Sequence, residues 1–80
     1  MAKVLLFGRL SDVAGWRERE VADALSISAL RARLAEEDER LGEALAAPGV
    51  QVALDQALVR GDRPIGAHTE VAFLPPMSGG

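Results

Sequence analysis

The residues best suited to chemistry are the last six, PPMSGG, which combine a rigid pair with a slim end. Prolines donate no hydrogen bonds to a β-sheet, so Pro75 and Pro76 are expected to end the last strand and direct the chain outward in an extended form. Glycines carry no Cβ, so Gly79 and Gly80 can thread a channel that is too narrow for other residues. We call this segment the tail; its residues are Pro75, Pro76, Met77, Ser78, Gly79 and Gly80.

The reactive group of the tail is expected to be the C-terminal carboxylate of Gly80. A reference pKa of about 3.3–3.7 leaves such a carboxylate ionised and weakly electrophilic at neutral pH. An ATP-using partner could convert it to an acyl-adenylate, from which a sulfur or amine nucleophile would displace AMP. The alternative interpretation is that residues 75–80 form a frayed end without a task.

Elsewhere the sequence lacks the patterns of a self-sufficient catalyst. It has no cysteine, and its serines lie outside the GxSxG context of a hydrolase nucleophile. The single histidine, His68, lies in GAHTE, which favours a turn, and GDRPIG at 61–66 lacks the Lys-Ser or Lys-Thr of a phosphate-binding loop. The acidic run EEDE at 36–39 is better explained as a solvated helix end than as a cation site. We therefore predict no catalytic residue, no metal site and no stably bound cofactor.

Composition limits the classes of partner. Eighty residues support one domain, and 49% hydrophobic with 26% charged residues is typical of a globular chain. A net charge of −3 and a pI near 5.0 argue against nucleic acid, which favours basic patches. The run VLLF is too short for a signal peptide, and no segment approaches the length of a membrane span. We expect a cytoplasmic protein without nucleic-acid or membrane partners.

Short apolar runs predict the strands that must position the tail. Residues 3–10, KVLLFGRL, and residues 70–74, EVAFL, are typical of a first and a last strand. REREVA at 17–22 fits an exposed edge strand or a loop equally well. VQVALDQALV at 50–59 predicts a hairpin with Asp55-Gln56 as its turn.

The helix signal lies between these strands. Ser26 is a plausible N-cap, and the apolar residues that follow it at helical spacing are Ile27, Leu30 and Leu34. Leu41 and Leu45 resume the same phase after EEDE, which predicts a second, shorter helix. Pro48-Gly49 ends it. SDVAGW at 11–16 and RGDRPIGAHT at 60–69 are expected to be loops, the latter anchored in the core by Ile65.

The order β-β-α-β-β-β implies an α+β fold in which a helix covers one face of a sheet. The residues expected on the covered face are Val4, Leu6, Val50, Val52, Leu54, Val71 and Phe73. Apolar residues of opposite parity remain, namely Leu5, Phe7, Leu58 and Leu74. We interpret them as a partner-binding patch near the exit of the tail. The alternative is the apolar surface that any small domain exposes.

The span from VALDQALV to the end, above all EVAFLPPMSGG, resembles the small subunit of molybdopterin synthase. KVLLFGRL, SISALRARL and the length also fit, so the resemblance covers the chain. It implies a β-grasp, ubiquitin-like fold: one domain, residues 1–80, with a mixed sheet of about five strands packed on one main helix and a short second helix. Two turns depart from the family pattern. Asp55-Gln56 stands where Asn-Gln is common, and GAHTE at 66–70 replaces an Asp-Gly-Asp-Glu turn.

The same resemblance implies a sulfur carrier for molybdenum cofactor biosynthesis. Gly80 would be adenylated by an ATP-consuming enzyme related to ubiquitin-activating enzymes, and a sulfur donor would convert it to a thiocarboxylate. The tail would enter the large synthase subunit, which carries the catalytic groups, and deliver sulfur to a cyclic pyranopterin phosphate. The assembly implied is a heterotetramer, with a contact surface that maps to Phe7, Leu58 and Leu74.

Three alternatives use the same sequence features differently. The first is a sulfur carrier of the same fold that serves thiamine, cysteine or tRNA thiolation. The second is a ubiquitin-like modifier that forms isopeptide bonds with lysines, since it would share the activation step. The third is a plain interaction domain, for which removal of Gly79 and Gly80 would leave activity intact.

Overall fold

The structure, a computed structural model, describes residues 1–76. Five strands form, the number expected: β1 (Ala2–Leu6), β2 (Glu18–Val21), β3 (Gln51–Leu54), β4 (Ala57–Val59) and β5 (Glu70–Leu74). Three helices are described in this part of the chain: α1 (Arg9–Ala14), α2 (Ile27–Glu37) and α3 (Glu39–Leu45). Residues 77–80 of the tail lie outside the described residues.

The strands form one mixed sheet in the order β2-β1-β5-β3-β4. The central pair, β1 and β5, is parallel, with Leu6 opposite Phe73, and the other three pairs are antiparallel. Because β1 and β5 run in the same direction, both end at the same edge of the sheet. The tail, which follows β5, therefore begins beside the segment that connects β1 to α1.

The covered face of the sheet and the three helices share one core. The largest fully buried side chains are Phe73, Leu30, Leu34, Leu41, Leu45, Val4 and Val71. Leu6 and Val52 are also buried, while Val50 and Leu54 are partly buried and pack against the same core. The predicted covered face is thus confirmed. Ile65 is buried as well, which confirms it as the core anchor of its loop.

The sequence interpretation was wrong between residues 7 and 16. The first strand ends at Leu6 instead of Leu10, and the expected loop contains α1. Gly8 has φ +56° and ψ −131°, a conformation open to glycine, and its carbonyl accepts hydrogen bonds from the backbone N–H and the hydroxyl of Ser11. Leu10 is only 2% exposed, so burial of this residue favours the helix over an extended strand.

The predicted N-cap of the main helix, Ser26, is confirmed. Ser26 accepts a hydrogen bond from the backbone N–H of Ala29, at 3.1 Å, and begins α2. Asp38 is extended, with φ −149° and ψ 101°, and its carboxylate accepts from the N–H of Leu41 to begin α3. The acidic run therefore separates two helices, as expected.

The two uncertain β-elements also form. REREVA contributes β2, an edge strand antiparallel to β1. Asp55 and Gln56 both have positive φ, 48° and 72°, and connect β3 to β4 as predicted. Asp and Asn tolerate this conformation better than most residues do. The Asp55 carboxylate also accepts the backbone N–H of Glu70 at 2.9 Å, so the hairpin turn is tied to the start of β5.

No helix within residues 1–76 is long and apolar enough to cross a membrane.

Candidate functional site

The uncovered face of the sheet carries an apolar row across four strands. Strand register places Leu5 opposite Ala72, Ala72 opposite Ala53, and Ala53 opposite Leu58. Neighbouring strands lie about 4.8 Å apart, so the row spans about 14 Å. Both alanines are only 6% exposed, although they lie outside the core that the three described helices share with the covered face. The row therefore has two small residues at its centre and a leucine at each end.

A second row lies nearer the tail. The backbone N–H of Phe7 donates to the carbonyl of Phe73 at 3.2 Å, which extends the parallel ladder one residue beyond β1. Alternation then places Phe7 on the uncovered face, beside Leu74, which pairs with Gln51. Phe7 is 45% exposed and Leu74 is partly buried.

The structure therefore places all four leftover apolar residues on one face. We call them the open-face patch; they are Leu5, Phe7, Leu58 and Leu74. Leu58, 63% exposed, lies two strands from Leu74, with β3 between them. Phe7 and Leu74 adjoin the tail directly. Their role in partner binding stays a prediction.

Charged side chains border the patch at the end away from the tail. Lys3 lies two residues before Leu5 on β1, on the same face of the sheet. It is paired with Glu20 of β2 and with Glu70 of β5. Its ammonium group is 3.7 Å from the carboxylate of Glu18. Such an exposed pair contributes at most about 1 kcal/mol to stability. An apolar centre with a charged border is, however, the usual composition of a protein-binding surface.

The tail leaves the sheet between two glycines. Pro75, partly buried, lies against Gly8, and Pro76, exposed, lies against Gly49. Gly8 follows β1 and Gly49 precedes β3, so loops from both sides of β5 flank the exit. The other tail residues of the predicted site, Met77, Ser78, Gly79 and Gly80, lie outside the described residues.

The described part of the chain combines an uncovered apolar face with few reactive side chains. His68 is exposed in a turn that the Thr69 hydroxyl closes by accepting the Gly66 N–H at 2.8 Å. Within residues 1–76, no group of three or more histidine, cysteine or acidic side chains is arranged to hold a metal ion. The arrangement places the start of the tail beside an uncovered apolar face.

Sequence reasoning missed four residues of this site. Ala53 and Ala72 share the parity of the leftover leucines, so alternation could have found them had small residues been included. Gly8 lay inside a run interpreted as a strand, and Gly49 was interpreted only as a helix stop. Their contacts with Pro75 and Pro76 join segments distant in sequence, and nothing in the local pattern indicates them.

Comparisons with known proteins agree with this architecture. The ThiS family matches residues 4–80. The molybdopterin synthase sulfur carrier subunit of Escherichia coli (strain K12) is 38% identical over 81 residues, covering 100% of both chains.

Two solved structures share the fold. Small archaeal modifier protein 1 from Methanosarcina acetivorans superposes with a TM-score of 0.85 at 19% identity, covering 99% of this chain and 95% of that one. The crystal structure of SAMP1 from Haloferax volcanii gives 0.77 at 22% identity, covering 99% and 98%. The β-grasp, ubiquitin-like fold is confirmed by these likenesses, with three helices in place of the two expected. The matched span and the full-length bacterial relative together show that the chain belongs to the ThiS family.

Proposed function

We propose that this chain is the sulfur-carrier subunit of a molybdopterin synthase. The observation that carries the proposal is its full-length relationship, at 38% identity, to the sulfur carrier subunit of the Escherichia coli enzyme. The Gly-Gly end after a proline pair supports it, and so does an apolar face beside the point where the tail leaves the sheet.

The proposed chemistry takes place at the carboxylate of Gly80. The carboxylate attacks the α-phosphorus of ATP on an activating enzyme, forming an acyl-adenylate and releasing pyrophosphate. Sulfide from a sulfur donor then attacks the acyl carbon and AMP leaves, so that one carboxylate oxygen is replaced by sulfur. In the large subunit the thiocarboxylate delivers sulfur to a cyclic pyranopterin phosphate, and two deliveries supply the dithiolene.

In this proposal the chain contributes a docking face and a substrate-like end. The open-face patch binds the large subunit in a heterotetramer, and the tail, residues 75–80, enters the partner's active site. Catalytic groups belong to the partners. ATP is consumed by the activating enzyme, and the carrier holds no cofactor of its own. The pathway is expected to operate in the cytoplasm.

Intact-mass spectrometry tests the proposal directly. The chain is incubated with ATP, an activating enzyme of this family and sulfide, beside a matched variant that lacks Gly80. We expect the full chain to gain the mass difference between one sulfur and one oxygen atom, and the shortened variant to gain nothing. No gain in the full chain, with an enzyme that converts a control carrier, would contradict the proposal.

A second candidate is a carrier or protein modifier that uses the same activated tail in another pathway, such as thiamine, cysteine or tRNA thiolation. The match to the ThiS family supports this second candidate, because the C-terminal carboxylate would be activated in the same way in either pathway. The acceptor separates the two. Thiocarboxylate that yields dithiolene with the large subunit and pterin precursor supports the first candidate. Sulfur loading without that product, or adducts on lysines, supports the second.

A further inference from the structure

Two glycines from separate loops touch the two prolines that begin the tail. A Cβ added to Gly8 would lie 3.1 Å from Cγ of Pro75. One added to Gly49 would lie 3.0 Å from Cβ, 3.4 Å from Cγ and 3.5 Å from Cα of Pro76. Favourable carbon–carbon contacts are about 3.5–4.0 Å long. The prolines are therefore flanked by bare backbone at both positions.

Backbone conformation alone does not explain this arrangement. Gly8 and Gly49 have φ of +56° and +89°, but Gly15 and Gly61 also have positive φ, +83° and +73°. A Cβ added at Gly15 or Gly61 would meet nothing within 4 Å. Gly49 thus shares positive φ with Gly15 and Gly61 and differs from them in what it contacts. Gly8 differs from Gly15 in backbone conformation as well, with ψ −131° against 11°.

We propose that Gly8 and Gly49 are positioning residues for the tail, and that their close contact with Pro75 and Pro76 sets the direction in which it leaves the sheet. The inference rests on the proposed function, since only a tail that must reach a nucleotide and a pterin needs a fixed direction. Each proline ring locks its own φ near −65°, so the two contacts act on a part of the chain that has little conformational freedom of its own.

The direction of exit affects rate more than docking. Gly49 lies outside the open-face patch, so a change at Gly49 leaves the docking residues in place. A shift of the reacting carboxylate by about 1 Å can lower a rate by as much as 10²-fold. A misdirected tail should therefore reduce kcat for conversion of the carrier while KM for the carrier changes little.

The test compares Gly49→Ala with Gly15→Ala and Gly61→Ala in the sulfur-loading reaction, with ATP, activating enzyme and sulfide and with mass spectrometry as the readout. The two controls introduce alanine at a similar φ but meet no neighbouring atom. We expect Gly49→Ala to lower kcat by about tenfold and to change KM by less than about twofold. The controls should stay within about twofold of the unmodified chain for both constants.

Removal of the Pro76 side chain distinguishes the steric contact at position 49 from backbone strain at that position. Pro76→Gly deletes the Cβ and Cγ atoms that a side chain at position 49 would meet. Gly49→Ala should therefore cost about tenfold in kcat in the native background and almost nothing in the Pro76→Gly background. An equal cost in both backgrounds would place the effect in backbone strain and overturn the proposal.

The remaining outcomes distinguish this inference from the function on which it rests. An unmodified chain that gains no sulfur would overturn both. An unmodified chain that is converted normally, with Gly49→Ala as fast as the two controls, would overturn only the positioning role.

Discussion

At the scale of single residues, Asp62 shows how a loop side chain supports the start of a helix. Its carboxylate accepts hydrogen bonds from the backbone N–H and the hydroxyl of Ser28, each at 2.8 Å. The Ser28 N–H, followed by its hydroxyl, holds the pKa of Asp62 below the usual 3.8. The ionised carboxylate of Asp62 therefore stabilises the folded state. Its contribution is present above pH 3.8 and is lost as the pH falls through the lower folded pKa.

We predict that Asp62→Asn lowers the melting temperature at pH 7, and that the difference from the unmodified chain narrows below about pH 3.8. The reason is that the native carboxylate becomes protonated in that range and then resembles the neutral amide. Thermal unfolding followed by circular dichroism from pH 2 to 7 measures both curves. A difference that stayed constant over the whole range would contradict this account. Ser28→Ala should flatten the same pH dependence in part.

The tail shows what residue types alone can predict. Pro75, Pro76 and the two terminal glycines each have properties that do not depend on the rest of the fold, so the sequence was enough to propose a chemistry for them, which stays a prediction. Gly8 and Gly49 could not be assigned in this way. Their proposed role depends on contacts with Pro75 and Pro76, and those contacts exist only once β5 is paired with β1 on one side and with β3 on the other.

At the scale of elements, the contact between α2 and α3 depends on one glycine. A Cβ added to Gly42 would lie 2.5 Å from Cβ and 2.8 Å from Cα of Ala35, so the two helices would have to separate. Alanine is favoured over glycine in a helix interior by about 1 kcal/mol, but overpacking typically costs 1–3 kcal/mol or more. The two effects have opposite signs, and the short distances favour the steric one.

We predict that Gly42→Ala lowers the free energy of unfolding by about 1–2 kcal/mol. Denaturant titration followed by fluorescence of Trp16, the single tryptophan, which packs against the core, measures the change. The double variant Ala35→Gly with Gly42→Ala is the control. Its helix propensities cancel and the 2.5 Å contact with Cβ of residue 35 is removed, but the 2.8 Å contact with the Cα remains, so stability should recover only in part. A double variant as unstable as Gly42→Ala alone would show that the loss of stability does not come from the contact with the side chain of Ala35.

The element α1 shows where sequence reasoning failed. Ser11, Asp12 and Gly15 are common in turns, and the segment was interpreted from them as a loop. Leu10, buried, and Val13, partly buried, lie three residues apart and pack on the core, which is a helical spacing over a single turn. A helix this short gives a weak periodic signal. Its formation depends on the core that receives Leu10.

At the scale of the whole molecule, the open-face patch was partly predictable. Side chains of a strand alternate between faces, so the parity of Leu5, Phe7, Leu58 and Leu74 followed from the sequence once a covered face was assumed. The relative positions of these four residues could not be predicted from the sequence, because they depend on the order of the strands in the sheet. The order places β5 between β1 and β3, and this brings Phe7 beside Leu74 and both beside the tail, while Leu58 lies at the opposite edge.

This arrangement leads to a prediction about binding that separates the patch from exposed apolar surface in general. Phe7→Asp and Leu58→Asp place a charge where the proposed partner must exclude water. Leu25→Asp makes the same type of change at a leucine that is 78% exposed and belongs to the connection between β2 and α2. We expect each patch variant to weaken binding to a large synthase subunit by roughly 30-fold, or about 2 kcal/mol.

Titration calorimetry with the large subunit measures the dissociation constants of the unmodified chain and the three variants, and thermal unfolding measures the stability of each protein. Leu25→Asp should bind within about twofold of the unmodified chain, since an exposed side chain away from the interface contributes almost nothing to affinity. None of the three side chains belongs to the buried core, so none of the changes should unfold the domain. Equal binding by all four proteins would mean that the uncovered face is apolar surface without a partner, and the docking role would then have to move to another part of the molecule.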